Sequence, residues 1–159
     1  MDYTELNREM RRKHCKDTLV RTDKILTLLV FLSYPVLLMY TAYAYDEAFF
    51  SYVMIPFAGL VLVSVMRIVI NRQRPFEKYG YRPILKKNSR GRSFPSRHVF
   101  SAAVIACAWL FMYAPAGIFL MAAAVCIAAV RVLGGVHYIS DVCAGLALGI
   151  SAGLFLAAV

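Results

Sequence analysis

Apolar residues run almost unbroken through five stretches of the chain, and the breaks between them are short or rich in turn-forming residues. Asp46–Glu47 separates a run over Ile25–Ala44 from one over Phe49–Ile70. A polar loop, Asn71–Arg97, carries Pro75, Gly80, Pro83 and Gly91 as breakers and leads into a third run from about Ser96 to Tyr113. Ala114-Pro115 opens a fourth run to about Leu133, and after Gly134-Gly135 the fifth covers Ser140–Ala158. From Ile25 to Met66 the only charged residues are Asp46 and Glu47; from Val99 to Val159 they are Arg131 and Asp141. Uncharged stretches of roughly 18 residues or more read as membrane-spanning helices. The pattern predicts an all-α, polytopic membrane helix bundle of about five transmembrane helices.

The head, Met1–Lys24, is different in kind. It holds seven Lys/Arg and five Asp/Glu, with Leu6, Met10, Leu19 and Val20 as sparse apolar positions. It predicts an N-terminal interfacial helix beside the headgroups, so the chain divides into an interfacial segment (1–24) and a membrane-embedded domain (25–159). Its mixed charge does not read as a cleavable signal peptide. Pro35 is a kink site that neighbouring helices tolerate, and Tyr40, Tyr43 and Tyr45 suit an interfacial aromatic belt.

Composition sharpens the class. Hydrophobic residues make up 60% of the 159, beyond an ordinary soluble domain. The net charge of +9 sits in the head, which includes His14, and in the 71–97 loop, which includes Lys86, Lys87, Arg90 and Arg92. That placement suits anionic headgroups or a phosphate substrate and offers no element for reading nucleic acid. The four cysteines lack metal-site spacing and read as packing residues rather than a disulfide framework. Gly145, Gly149 and Gly153 form a stripe that favours close helix contact, within the bundle or across a homodimer.

Five spans also fix which ends meet. Arg67, Arg74, Ser96, Arg97, His98, Arg131, His137 and Asp141 all fall on the membrane face that holds the N-terminus. An Arg inside a span costs about 2.5–3.5 kcal/mol, so Arg67 and Arg131 either snorkel to the headgroups or bind something. Glu77 and Asp141 are the only acids after Glu47, which leaves the arginine cluster short of counter-charge and makes a bound anion the simplest partner. Phosphate fits guanidinium geometry best. Ser96, after Pro95, reads as an N-cap whose helix start aims N–H groups at an anion, or as a cap alone. His137 and Asp141, four apart, suit a carboxylate that fixes the ring's tautomer and leaves the other nitrogen nucleophilic. Asp141 also reads simply as a helix-start charge. His98 suits protonation of a leaving oxygen.

"RIVINRQRP" (67–75), "PSRH" (95–98) and "RVLGGVHYISD" (131–141) together resemble the three signature motifs of the type 2 phosphatidic acid phosphatase superfamily, the integral-membrane lipid phosphatases related to vanadium haloperoxidases. The resemblance implies phosphate binding by Arg67, Arg74, Ser96, Arg97 (through its amide) and Arg131. It implies His137 as nucleophile, Asp141 as its orienting partner and His98 as acid. The implied activity is a metal-independent lipid phosphate phosphatase working through a phosphohistidine. Phosphatidate, phosphatidylglycerophosphate and polyprenyl phosphate or diphosphate all fit as substrates. Three positions depart from the family pattern: Arg67 replaces the usual lysine, Arg97 the usual glycine, and Val130 the usual serine. A non-catalytic anion- or phospholipid-binding or transport protein would explain the arginines but not the two histidines and Asp141. As a multi-pass cell-membrane protein, its active face is cytoplasmic by positive-inside counting and extracytoplasmic by family habit.

Overall fold

The computed structural model describes residues 2–12, 15–86 and 90–158; His14 and Lys87 lie outside them. The helices are α1 (Tyr3–Arg12), α2 (Cys15–Ala44), α3 (Asp46–Ile70), α4 (Pro75–Lys78), α5 (Arg97–Met112), α6 (Ala114–Leu133) and α7 (Ile139–Leu154), with a final 3-10 turn over Phe155–Ala158. No strand occurs among the described residues. α2, α3, α6 and α7 with its 3-10 extension are long and apolar enough to cross a membrane. They expose large apolar side chains outward, among them Leu28, Leu32, Met39, Phe57, Val69 and Phe119. Such a surface suits hydrocarbon rather than water.

The third apolar run forms α5, which has 16 residues, a length of about 24 Å. It falls short of a typical hydrocarbon thickness and forms the axis of the bundle: every residue from Ala102 to Ala108 is buried. Phe100 meets Val30, Val63, Ile127 and Val142 from the surrounding helices in one core. Small side chains on α5 let α7 come close. A Cβ at Gly145, Gly149 or Gly153 would stand 2.8 Å from the Ser96 carbonyl oxygen, 2.6 Å from Ala103 Cβ and 2.3 Å from Cys107 Cβ. The glycine stripe is therefore used within the bundle, the first of its two expected roles.

Two prolines sit inside spans without ending them. Pro56 has no N–H for the Tyr52 carbonyl, and the Tyr34 hydroxyl donates to that carbonyl at 2.8 Å instead. This bond ties α2 to α3.

The head departs from expectation. Residues 15–24 belong to the first spanning helix, so the boundary expected at Lys24 falls inside α2. Only α1 is a separate helix, and it docks onto the loops of the bundle's end. Tyr3 meets Tyr138 edge-to-face with centroids 5.2 Å apart, and its hydroxyl accepts from Ile139 N at 3.3 Å. Arg11 Nη2 donates to the carbonyls of Arg82 (2.7 Å) and Pro83 (3.2 Å). Beneath it, Ile84 and Leu85 amides both donate to the Gly134 carbonyl, and Gly135 turns the chain at φ 76°. The N-terminus and the polar helix ends thus share one face.

Candidate active site

Asn71 ends α3 in the left-handed conformation, and the loop folds back over the ends of α6 and α7. Arg67, in the last turn of α3, is buried and donates its Nη1 to the carbonyls of Pro95 (2.6 Å) and Ser93 (3.3 Å). It fastens the strip that enters α5. Glu77 fastens the other side of the loop, accepting from the amides of Arg74 (2.8 Å) and Gly91 (2.9 Å).

Arg74 is wholly buried. Its Nη1 donates to the Val136 carbonyl at 2.9 Å and lies 3.4 Å from His137 Nε2. Its Nε and Nη2 are buried with no hydrogen-bond partner among the described residues, and so is Ser96 Oγ. Ser96 occupies the N-cap position of α5, but its hydroxyl makes no capping bond. Its amide donates to the Asp141 carbonyl at 2.9 Å, an approach that Gly145 permits. Buried donors without partners are costly unless a ligand satisfies them.

His137 is 2% exposed on the turn between α6 and α7. Its Nδ1 faces Asp141 Oδ2 at 3.4 Å, and its Nε2 faces Arg74. A carboxylate on Nδ1 sets the tautomer that leaves the Nε2 lone pair on the arginine side. Burial pushes the imidazole from 6.5 down to about 4, and the Arg74 and Arg131 charges add to this against the opposing pull of Asp141. The ring is neutral at neutral pH.

Asp141 is fully buried and fully engaged. Oδ2 accepts from Ser93 Oγ (2.5 Å) and the Tyr138 amide (3.0 Å), and Oδ1 pairs with Arg72 Nη1 at 2.8 Å. Arg72 also donates to Ser140 Oγ at 2.7 Å and stacks over the Tyr138 ring at 4.0 Å. Of the expected residues, the fold brings Arg67, Arg74, Ser96, His137 and Asp141 together. Ser93 and Arg72 are additions. Arg72 stood inside the first quoted motif as a spacer, and Ser93 stood two residues before Pro95 with nothing but its polarity to mark it.

The remaining three expected residues lie around this centre. Arg131 is buried in the last turn of α6, and its Nε forms an ion pair with Asp23 Oδ1 of α2 at 2.9 Å. The expected shortage of counter-charge is thereby relieved at Arg131, which Asp23 serves, while Asp141 serves Arg72. Asp23 was hidden because its segment reads as a solvated head. Arg97 and His98 begin α5 on its α2–α3 side. There they line a groove of about 210 Å³ with Phe31, Leu60 and Ser101, and His98 meets Phe31 edge-to-face at 6.4 Å. Arg97 is exposed and His98 half-buried.

Chemically, the centre offers a neutral, carboxylate-oriented imidazole next to unpartnered guanidinium and hydroxyl donors at a helix start. The family model of the PAP2 superfamily matches residues 47–159. The chain is 33% identical over 116 residues to a lipid A 1-phosphatase of Rhizobium johnstonii, covering 70% of this chain and 46% of that protein. It thus spans about half the length of that relative. In fold it resembles the crystal structure of Aquifex aeolicus LpxE, with a TM-score of 0.75 at 22% identity over 98% of this chain and 94% of the other. It also resembles the PAP2-type phosphatidylglycerolphosphate phosphatase of Bacillus subtilis, with a TM-score of 0.67 at 18% identity over 98% and 90%.

Proposed function

The chain belongs to the PAP2 superfamily, and on that premise we propose that it is a membrane lipid phosphatase releasing phosphate from a lipid phosphomonoester or diphosphate. The observation that carries this reading is the pairing of His137, neutral and oriented by Asp141, with the unpartnered buried donors of Arg74 and Ser96. A passive anion binder needs the donors but not the oriented imidazole.

In the proposed course, the phosphoryl oxygens take the Arg74 Nε and Nη2 donors, the Ser96 hydroxyl, the first amides of α5 and Arg131. His137 Nε2 attacks phosphorus, a P–N bond forms, and the P–O bond to the lipid breaks. His98 gives its proton to the departing lipid oxygen. Water then attacks the phosphohistidine, losing a proton to His98, and inorganic phosphate leaves with His137 restored. Guanidinium and helix-start donors stabilise the charge of the five-coordinate phosphorus, so the course includes no metal.

The substrate is a lipid whose leaving oxygen reaches His98 at the groove lip. Phosphatidate, phosphatidylglycerophosphate and polyprenyl phosphates or diphosphates fit, and the Rhizobium relative, a lipid A 1-phosphatase, adds lipid A to that class. Phosphate release by purified protein from a panel of these lipids tests the reading, with chelator and vanadate arms. Turnover insensitive to chelator and competitively inhibited by vanadate is expected. No release from any lipid phosphate, or loss in chelator restored by a divalent cation, contradicts it. Accessibility of cysteines substituted at exposed loop positions such as Arg90 and Arg92 reports which side of the membrane the active face meets.

A further inference from the structure

Arg131 and Asp23 come from helices 108 positions apart in sequence, yet their side chains meet at 2.9 Å with only 8% and 15% of their surfaces exposed. The pair walls a cleft of about 300 Å³ whose other cations are Lys16, Lys24 and Lys86. Val136 lines the same cleft, and its carbonyl holds Arg74 while its amide donates to the Arg131 carbonyl at 3.2 Å. Arg131 thus lines the lysine-bearing cleft while its backbone is tied to the turn that carries His137. Asp17 also lines the cleft, but the carboxylate in ion-pair contact with Arg131 is that of Asp23, and a guanidinium on a long flexible stem takes a fixed position when a counter-charge holds it.

We propose that Asp23 is a positioning residue: its carboxylate, on the first spanning helix, holds the Arg131 guanidinium at the place where it meets the transferring phosphoryl group. This rests on the lipid phosphatase reading above. It assigns the start of α2, outside the three signature motifs, a part in the reaction. A carboxylate that merely neutralised Arg131 would oppose anion binding, and its removal would tighten it. A carboxylate that positions Arg131 has the opposite effect. Anion affinity thus separates the two roles.

The test uses the full chain in lipid nanodiscs, with vanadate as the anion probe and a lipid phosphate as substrate. Asp23→Asn keeps the shape and removes the charge. Expected is a loss of roughly 10- to 100-fold in kcat/KM, matching the loss of a bond to a charged group, and a comparable weakening of vanadate inhibition. Asp23→Glu, which keeps the charge, should recover part of both. In an Arg131→Lys background the further effect of Asp23→Asn should shrink below about twofold, because paired residues are not additive. Unchanged or tighter vanadate inhibition in Asp23→Asn overturns the proposal, as does full additivity with Arg131→Lys. If Asp23→Asn does not fold, Asp23→Glu decides alone: vanadate inhibition weaker than wild type at an unchanged melting temperature supports positioning, and wild-type inhibition overturns it. The lipid phosphatase reading fails separately, through absent wild-type turnover or turnover that survives His137→Ala.

Discussion

Ser93 donates its hydroxyl to Asp141 Oδ2 at 2.5 Å, and that same oxygen faces His137 Nδ1 at 3.4 Å. The orientation of the imidazole therefore depends on a residue from the loop before α5. Ser93→Ala removes a bond to a buried carboxylate worth about 1.5–3 kcal/mol. The expected result is a kcat lower by roughly 10- to 100-fold with little change in KM, since Ser93 acts through Asp141. Steady-state kinetics check the split; a kcat equal to wild type contradicts it.

His137 gives a pH signature of definite sign. Burial holds it down to about 4, so the acidic limb of kcat/KM set by this group lies near pH 4 rather than near 6.5. For stability, the unfolded chain takes up the proton first. The folded protein is favoured fully above 6.5 and loses ground as pH falls toward 4, by on the order of 3 kcal/mol. Thermal denaturation of wild type and His137→Asn at pH 7 and pH 4.5 measures this. The wild type should lose more stability on acidification than the variant; equal losses contradict the depressed value.

Gly145 permits the approach of α7 to Ser96. A methyl there would stand 2.8 Å from the Ser96 carbonyl oxygen and 3.3 Å from Val99 Cβ. Gly145→Ala is expected to destabilise the protein by about 1–3 kcal/mol through overpacking and to weaken vanadate inhibition as Ser96 shifts. At an unobstructed helix position the same change would stabilise by reducing unfolded-state entropy. A melting temperature at or above wild type contradicts the close approach.

Arg97 stands exposed at the groove lip beside His98. Its amide serves the helix start whatever its side chain, so Arg97→Gly should keep turnover of a lipid monophosphate. It should lose about tenfold or more on the matched diphosphate, through one lost bond to a charged group. Kinetics on the pair of lipids decide it; equal changes on both show that the side chain does not select.

The spans and their polar ends were legible in sequence because a bilayer demands long uncharged helices and makes each intramembrane charge conspicuous. His137 and Asp141 were legible together because a spacing of four brings a turn residue onto the carboxylate of the next helix. Ser93 and Arg72 were not, because their meaning depends on how the loop folds back, which no periodicity records. Asp23 was missed for a related reason. A charge at the edge of an apolar run looks solvated until the helix extends past it, as α2 does from Cys15. Arg67 was legible by its charge, but the bonds of its Nη1 to the carbonyls of Ser93 and Pro95 were not, because they too depend on the fold of the loop.

The central claim is that phosphoryl transfer passes through His137, and rapid acid-free quenching of the protein with a radiolabelled lipid phosphate tests it most directly. Label bound to the wild-type chain, stable to base and labile to acid as a phosphoramidate is, and absent from His137→Ala, is the predicted result. Label retained by His137→Ala, or multiple turnovers with no His137-dependent label at any quench time, would contradict it.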